Sequence, residues 1–251
     1  MEHELGITAL FNTYLAGLAN AILGLFGVAA EHPDRPWENW IVVELLVVAL
    51  IMIAVAVMRA GLSVDKPGML QHVFESFHGF IHDTIEQVGI PHGGQYAPYI
   101  GTVFIFILSM NLIGIIPWFE APTMSPWVPA GLAVVTFLYF NAMGFRANGL
   151  GYLKQLAGPV RFPNPIASAL IIAFMIPIET VSLFIRPLSL TVRLYGNMFA
   201  GEQVTTVFLG LTKLIIPVIF MGLHVFVSLI QAYVFTLLTT IYISLAVSHE
   251  H

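Results

Sequence analysis

Cysteine is absent from the 251 residues, which excludes disulfides and thiol chemistry and leaves no clue to redox compartment. Charge is the second scarcity. Asp, Glu, Lys and Arg make up 9% of the chain, against about 25% in a soluble domain, too few to cover a water-facing surface. Basic residues number 9 against 14 acidic ones, a net charge of −5, which argues against a nucleic-acid partner. No glycine-rich loop of the phosphate-binding kind is present, so no nucleotide site is expected. The first residues, MEHELGITAL, are acidic where a signal or transit peptide would be basic. That favours a prokaryotic plasma (inner) membrane over an imported organellar protein. What the chain does have is apolar residues, 58% of the total, with a mean hydropathy of +0.87. The expected fold class is an all-α membrane protein of about five transmembrane helices.

Residues 1–38 form an N-terminal outer or interfacial segment, and 39–251 a single transmembrane helical domain. Leu5 to Ala30 is apolar but interrupted by Asn12, Thr13 and Asn20. It reads as a helix or short hairpin at the interface, with one span as the alternative. EHPDRPWENW follows as a hydrophilic break. Trp40 to Met58 is close to the ~20 residues a span needs, with Glu44 inside it near the outer end. From Met69 to Val88, Leu70, Val73, Phe74, Phe77, Ile81, Thr84, Ile85 and Val88 follow helical spacing. His72, Glu75, His78, His82, Asp83 and Glu86 take the other face, the pattern of an amphipathic helix lying on the membrane. Tyr99 to Trp118 and Trp127 to Phe145 make two further spans, and a polar loop runs from Arg146 to Pro165. The remainder is apolar to Val247, broken mainly at Gly210 to Lys213, and gives two long helices in a hairpin of about 166–247.

If Trp40–Met58 runs from outside to inside, Arg59, Lys66, Arg146, Lys154 and Arg161 are cytoplasmic and only Arg35 and Lys213 are outside. That satisfies the positive-inside rule. Trp37, Trp40, Trp118 and Trp127 then form an outer aromatic belt, with the N-terminus outside and the C-terminus cytoplasmic.

Arg186 and Arg193 are left in the membrane. An arginine at the bilayer centre costs about 3 kcal/mol on insertion scales, so such a residue pairs or conducts. Residues 166–211 would span about 70 Å as one helix, against a ~30 Å hydrocarbon core. The segment therefore tilts steeply, or breaks near Pro177 or Pro187. A surface turn at Arg186-Pro187 is the other arrangement, and it would flip the C-terminus. Taken as one helix, Glu179, Ser182, Arg186, Ser189, Arg193 and Asn197 stay within about 40° of Arg193, while Glu202 points to the opposite side. On the next helix His224, Ser228 and Gln231 share a face. An antiparallel turn at Thr212-Lys213 sets Arg193 level with Gln231, Asn197 with Ser228 and Glu202 with His224.

The string PLSLTVRLYGNMFAGE with His224 and Gln231 resembles subunit a of the F-type ATP synthase, the membrane stator beside a rotating c-ring. PIETVSLFIRP, FILSMNLIGIIP and the amphipathic helix after the first span fit too, from about Trp40 to the C-terminus. The resemblance implies ion translocation through two offset half-channels and coupling of ion flow to rotation and ATP synthesis. The partners it implies are the c-ring, peripheral-stalk b-type subunits and lipid. Arg193 is then the seal between half-channels and the partner of the rotor carboxylate. Glu202 and His224 line the outer path. Glu179 and Ser182, with Asn197, line the inner one, and Gln231 orients Arg193. Arg186 either seals the inner side or binds headgroups. Ser228 and Glu44 are further polar candidates without an assigned role. The ion is H⁺ in this reading. Na⁺ stays open, because the coordinating carboxylate is the rotor's.

No cofactor or metal is expected. His78, His82, Glu86 and Glu75 have metal-ligand spacing, but one such cluster falls short of a di-metal oxygenase, and a solvated helix face accounts for it. A stand-alone exchanger or secondary transporter would also suit intramembrane Arg, Glu, His and Asn. Such transporters often carry internal repeats, and the two halves of this chain do not resemble each other.

Overall fold

A computed structural model describes residues 4–25, 27, 32–63, 68–116, 119–149, 151–152, 165–211 and 215–248. Lys66, Trp118, Lys154, Arg161, the Thr212-Lys213 turn and the final residues, on which parts of the orientation argument rest, lie outside them. The helices are α1 (Gly6–Leu25), α2 (Asn39–Ala60), α3 (Met69–Val88), α4 (Ala97–Ile113), α5 (Trp127–Asn148), α6 (Pro165–Leu211) and α7 (Ile215–Val247). Among the described residues there is no strand. By length and composition α1, α2, α5 and central stretches of α6 and α7 could each cross a membrane, while α4 is apolar but only 17 residues long. The expected number of spans is matched with a different membership, since α1 qualifies. Seventeen residues still sit at the lower edge of the usual range of about 17–25, so α4 remains long enough to cross.

α1 is one helix rather than a hairpin. The hydrophilic segment after it folds back antiparallel along its flank. The Trp37 amide donates to Asn12 Oδ1 at 2.9 Å, Asn20 Nδ2 to the Pro33 carbonyl at 2.9 Å, and Trp37 Nε1 to the Leu15 carbonyl at 2.9 Å. The asparagines that interrupt the apolar run are thus the anchors of the segment that returns to α2.

α3 has the bounds and the two faces its pattern predicts. Ile81, Thr84 and Ile85 are buried, with Phe77 packed against the same core. The charged face is open, and it ends at Gly89, whose φ of 74° is the left-handed cap glycine favours. Leu70 and Val73, on the apolar side, stay exposed, the state of an apolar face meeting lipid. The His78 and His82 rings lie 4.5 Å apart, and among the described residues no group of three His, Asp or Glu side chains converges.

α4 stops five residues short of the expected Trp118. A Cβ on Gly114 would sit 2.8 Å from Ala121 Cβ and 3.0 Å from its backbone nitrogen. The glycine lets the chain turn back against its own helix end. That return makes the short 3-10 turn Pro122–Met124, with Pro122 and Thr123 buried.

α6 runs 47 residues through Pro177 and Pro187 without a break in helical assignment, which replaces both the broken helix and the surface turn. Each proline removes one backbone donor, a loss that neighbouring helices and hydroxyls offset in membrane helices. The apolar stretch Ile171–Phe208, 38 residues, is about 57 Å long at helical rise and cannot stand upright in a ~30 Å core. α7 is the hub, packed on α3, α4, α5 and α6. Its Ala232, Phe235 and Ile243 join Leu190, Leu194 and Met198 of α6, Ile100 and Ile107 of α4 and Phe140 of α5 in the main core.

Candidate functional site

Intramembrane polar side chains collect along the α6–α7 hairpin and its contacts with α4 and α5. At the centre, Arg193 is half-buried on α6. Leu190, Leu194 and Met198 beside it are almost fully buried and fix that face of the helix against α7. Among the described residues no hydrogen bond or ion pair holds the guanidinium. One turn on, Asn197 Nδ2 donates to Gln231 Oε1 at 2.7 Å. Gln231 is 2% exposed and its own Nε2 has no protein partner. The amide pair therefore links Gln231 to Asn197 rather than directly to Arg193. An amide NH₂ and a guanidinium are both donors, so this orientation anchors the α6 backbone near Arg193 instead of gripping its side chain.

Towards the turn end of the hairpin a cavity of about 260 Å³ lies between the helices, lined by Asn197, Gly201, Val204, Thr205, Phe220 and His224 among others. One water needs only ~10–15 Å³ by such a measure. A methyl on Gly201 would lie 3.4 Å from His224 Nδ1, so the absent side chain is what brings the imidazole against the α6 backbone. His224 is 8% exposed and its Nε2 has no protein partner. The backbone of Asn111 on α4 lies beside the ring. Asn111 is fully buried and accepts a hydrogen bond from Thr123 Oγ1 at 2.8 Å, while its Nδ2 is unpaired. Glu202 is half-buried next to Gly201. Glu202 and His224 flank the same level of the hairpin, but no hydrogen bond joins them.

Earlier on α6, towards the cytoplasmic side of the expected topology, a separate cluster forms. Arg186 Nη2 lies 3.4 Å from Glu179 Oε1 and its guanidinium carbon stands 5.3 Å over the Tyr242 ring. Tyr152, just past α5, is buried against Phe145 and donates its hydroxyl to Asn141 Oδ1 at 2.9 Å. Burial pushes the Tyr152 phenol up; Arg186 opposes this and Glu179 reinforces it, placing all three groups within one field. Asn148 Nδ2 donates to the Ala246 carbonyl at 3.0 Å, pinning the end of α7 to α5. Ser182, half-buried, lies between Glu179 and Arg186 on the same stripe.

Ser228 is fully buried on α7 with no protein partner for its hydroxyl, and Thr236 and Thr239 further along are the same. Glu44 is half-buried in α2, away from the hairpin's own pairs. Asn111, Thr123, Asn141, Tyr152 and Tyr242 were not singled out from sequence. For Asn111 the signal was there, a lone amide in FILSMNLIGIIP. The others come from four different segments that only the fold places.

Residues 40–244 match the family described as ATP synthase A chain. The ATP synthase subunit a of Solibacter usitatus (strain Ellin6076) is 54% identical over 243 residues, 96% of this chain and all of that protein. That of Koribacter versatilis (strain Ellin345) is 46% identical over the full length of both. The ATP synthase subunit a 3 of Pelobacter propionicus is 38% identical over 87% of this chain and 89% of its own.

Proposed function

This chain belongs to the ATP synthase A chain family, and from that premise we propose how its polar hairpin moves protons. It is the multi-pass membrane stator of an F-type ATP synthase, translocating protons past a rotor. The catalytic sites for ATP lie on other subunits. The observation that carries the site reading is Arg193, a half-buried guanidinium with no ion-pair or hydrogen-bond partner within the described residues.

A guanidinium keeps its charge when poorly solvated, so Arg193 can take a partner from outside the chain. A rotor carboxylate arriving at Arg193 is drawn into its ionised form. The same charge repels a proton crossing directly. Asn197 and Gln231 hold the two helices in register beside it. The cavity under His224 and Glu202 opens the path on the turn side, which we assign to the outside. Ser228, between His224 and Gln231, leads towards Arg193. On the other side, Glu179 and Ser182 line the path to the cytoplasm. Arg186, held by Glu179 and Tyr242, is a fixed positive charge closing that end against stray cations, which suits an inner seal better than a headgroup ligand. The c-ring and peripheral-stalk b-type subunits are the protein partners.

Because the chain has no cysteine, thiol labelling can test the two half-channels separately. Val204→Cys, in the cavity lining, should react with a membrane-impermeant thiol reagent from the outer side only, and Ser182→Cys from the inner side only. Each reaction should stop ATP-driven proton pumping by the assembled complex. Both sites reacting from one side would sink the offset arrangement.

A further inference from the structure

α2 leaves the bundle partway along its length. Its buried residues, Val42, Val43 and Val47, all lie in its first half, where Val43 and Val47 share a core with Met110 and Ile113 of α4 and Val128 of α5. From Val48 to Ala60 no α2 residue is buried. Towards the start of α4, α3 packs against it: a Cβ on Gly101 would lie 3.5 Å from Phe77, and the Phe77 and Phe104 rings are 5.4 Å apart. Where α2 and α4 part, a groove of about 380 Å³ opens. Leu50 and Val55 of α2, Phe74 of α3, and Ile105, Ser109 and Leu112 of α4 line it, among others, and the serine is the sole polar side chain of that lining.

Apolar walls that face hydrocarbon lose packing contacts if the space between them stays empty. A helix with its side chains is about 10–12 Å across and rises 5.4 Å per turn, so a single turn needs about 400 Å³, as much as the whole groove. An extended hydrocarbon chain is the slimmer fit. From Val47 to Val55 the lining runs about 12 Å along α2, and Arg59 stands about 6 Å beyond. The total is close to the ~15 Å that one leaflet contributes to a ~30 Å core.

Arg59 supplies a charge at the end of the groove. It lies four residues past Val55, within about 40° of it and so on the same face of α2. It is exposed, and among the described residues no ion pair or hydrogen bond holds it. Glu75, the acid that follows Phe74 on α3, accepts from Gln71 Nε2 at 2.8 Å and lies 3.6 Å from His72 Nδ1. Gln71 Oε1 accepts from the Ser63 amide at 3.1 Å, which ties the chain after α2 to the start of α3. A guanidinium binds phosphate through two parallel hydrogen bonds. On the expected topology Arg59 is in the cytoplasmic leaflet, where anionic headgroups attract basic side chains.

We propose that the α2–α4 groove binds an anionic phospholipid, with one acyl chain against Leu50, Val55, Phe74 and Leu112 and the phosphate on Arg59. The lipid packs against α2 where the bundle does not. No residue of the proton path takes part, so the site stands or falls independently of the half-channel assignment.

Photoactivatable lipids test this on the assembled complex. It is reconstituted in phosphatidylcholine vesicles holding a trace of phosphatidylglycerol, or of phosphatidylcholine, with a diazirine on one acyl chain. After irradiation the cross-linked peptides are mapped. The phosphatidylglycerol probe should label residues 47–55 and 105–116 on the order of fivefold more than the phosphatidylcholine probe, the worth of one surface arginine towards anionic lipid. Arg59→Gln should remove that excess and Arg59→Lys should keep most of it, with the amount of assembled subunit unchanged. Ala54→Trp, which fills the groove, should lower labelling there and leave it unchanged elsewhere on the chain. The arginine variants carry the test if Ala54→Trp fails to assemble. Equal labelling by the two probes, or an excess that survives Arg59→Gln, overturns the proposal and leaves ordinary surrounding lipid. A groove that neither probe labels also overturns it, the result expected if a helix of another subunit covers this face.

Discussion

Replacing Thr123 by valine removes one hydroxyl and almost no volume. That hydroxyl donates to Asn111 Oδ1 at 2.8 Å, and both residues are 0% exposed. Asn111 Nδ2 already has no protein partner, so Thr123→Val leaves the amide oxygen unpaired as well. An unsatisfied buried polar group costs about 1–3 kcal/mol. Asn111→Leu should cost a similar amount by stranding the threonine hydroxyl. The double variant removes both partners, and its stability should return to within about 1 kcal/mol of the parent. Stability would be read as the temperature at which the subunit is lost from the assembled complex, with about 2–4 °C expected per kcal/mol for a chain of this size. Flux through the stripped complex is recorded on the same samples. The stability of the double variant should recover and its flux should stay near the parent level, because the Asn111 backbone that lies beside His224 is unchanged. Additive losses in the double variant, or no loss in Thr123→Val, would refute the reasoning that the pair is a buried and mutually dependent contact. Lost flux with recovered stability would refute the reading that Asn111 meets His224 through its backbone.

Three further substitutions probe the remaining packed contacts. A Cβ at Gly144 would fall 2.7 Å from Tyr152 Cε2 and 3.1 Å from the Ala246 carbonyl. Gly144→Ala should therefore destabilise by about 1–3 kcal/mol through overpacking, seen as earlier thermal loss of the subunit. Arg186→Ala removes the Glu179 pair and the Tyr242 contact. With Glu179 38% exposed, the expected loss is only about 1 kcal/mol, and Arg186→Lys should recover part of it in the same melting assay. Gly201→Val would press a branched side chain on His224 and into the cavity beside it. Flux should fall on the order of tenfold, a barrier increase of about 1.4 kcal/mol, with the amount of assembled subunit unchanged.

The parts of this fold legible in the sequence are those set by one helix at a time. The two faces of α3 follow from hydrophobic spacing, and so do its ends at Met69 and Val88. The polar stripe on α6 from Glu179 to Asn197 is a matter of angle alone. Pairings between helices were less legible. Adding residue numbers across a hairpin assumes parallel axes, and it sets Arg193 opposite Gln231. In the structure Gln231 meets Asn197 rather than Arg193, while Gly201 meets His224 at the expected level. Four residues along α6 thus correspond to seven along α7, the signature of helices that cross. The end of α4 is not legible locally, because nothing nearby in the sequence shows that Ala121 comes back onto Gly114. The cluster of Tyr152, Asn141, Arg186 and Tyr242 draws on both helices of the hairpin and on α5 with the segment after it. No spacing rule within one segment could have assembled it. Family resemblance supplied what spacing could not, a reason for Arg193 to stand without a partner among the described residues.

That unpartnered arginine is the central claim, and Arg193→Ala tests it most directly. The variant would be built into the assembled complex and reconstituted in vesicles. ATP-driven proton pumping is then compared with passive leak after the catalytic head is stripped away. If Arg193 separates two half-channels, pumping is abolished while passive leak persists or grows. Pumping retained at the parent level would contradict the account and move the search to Arg186.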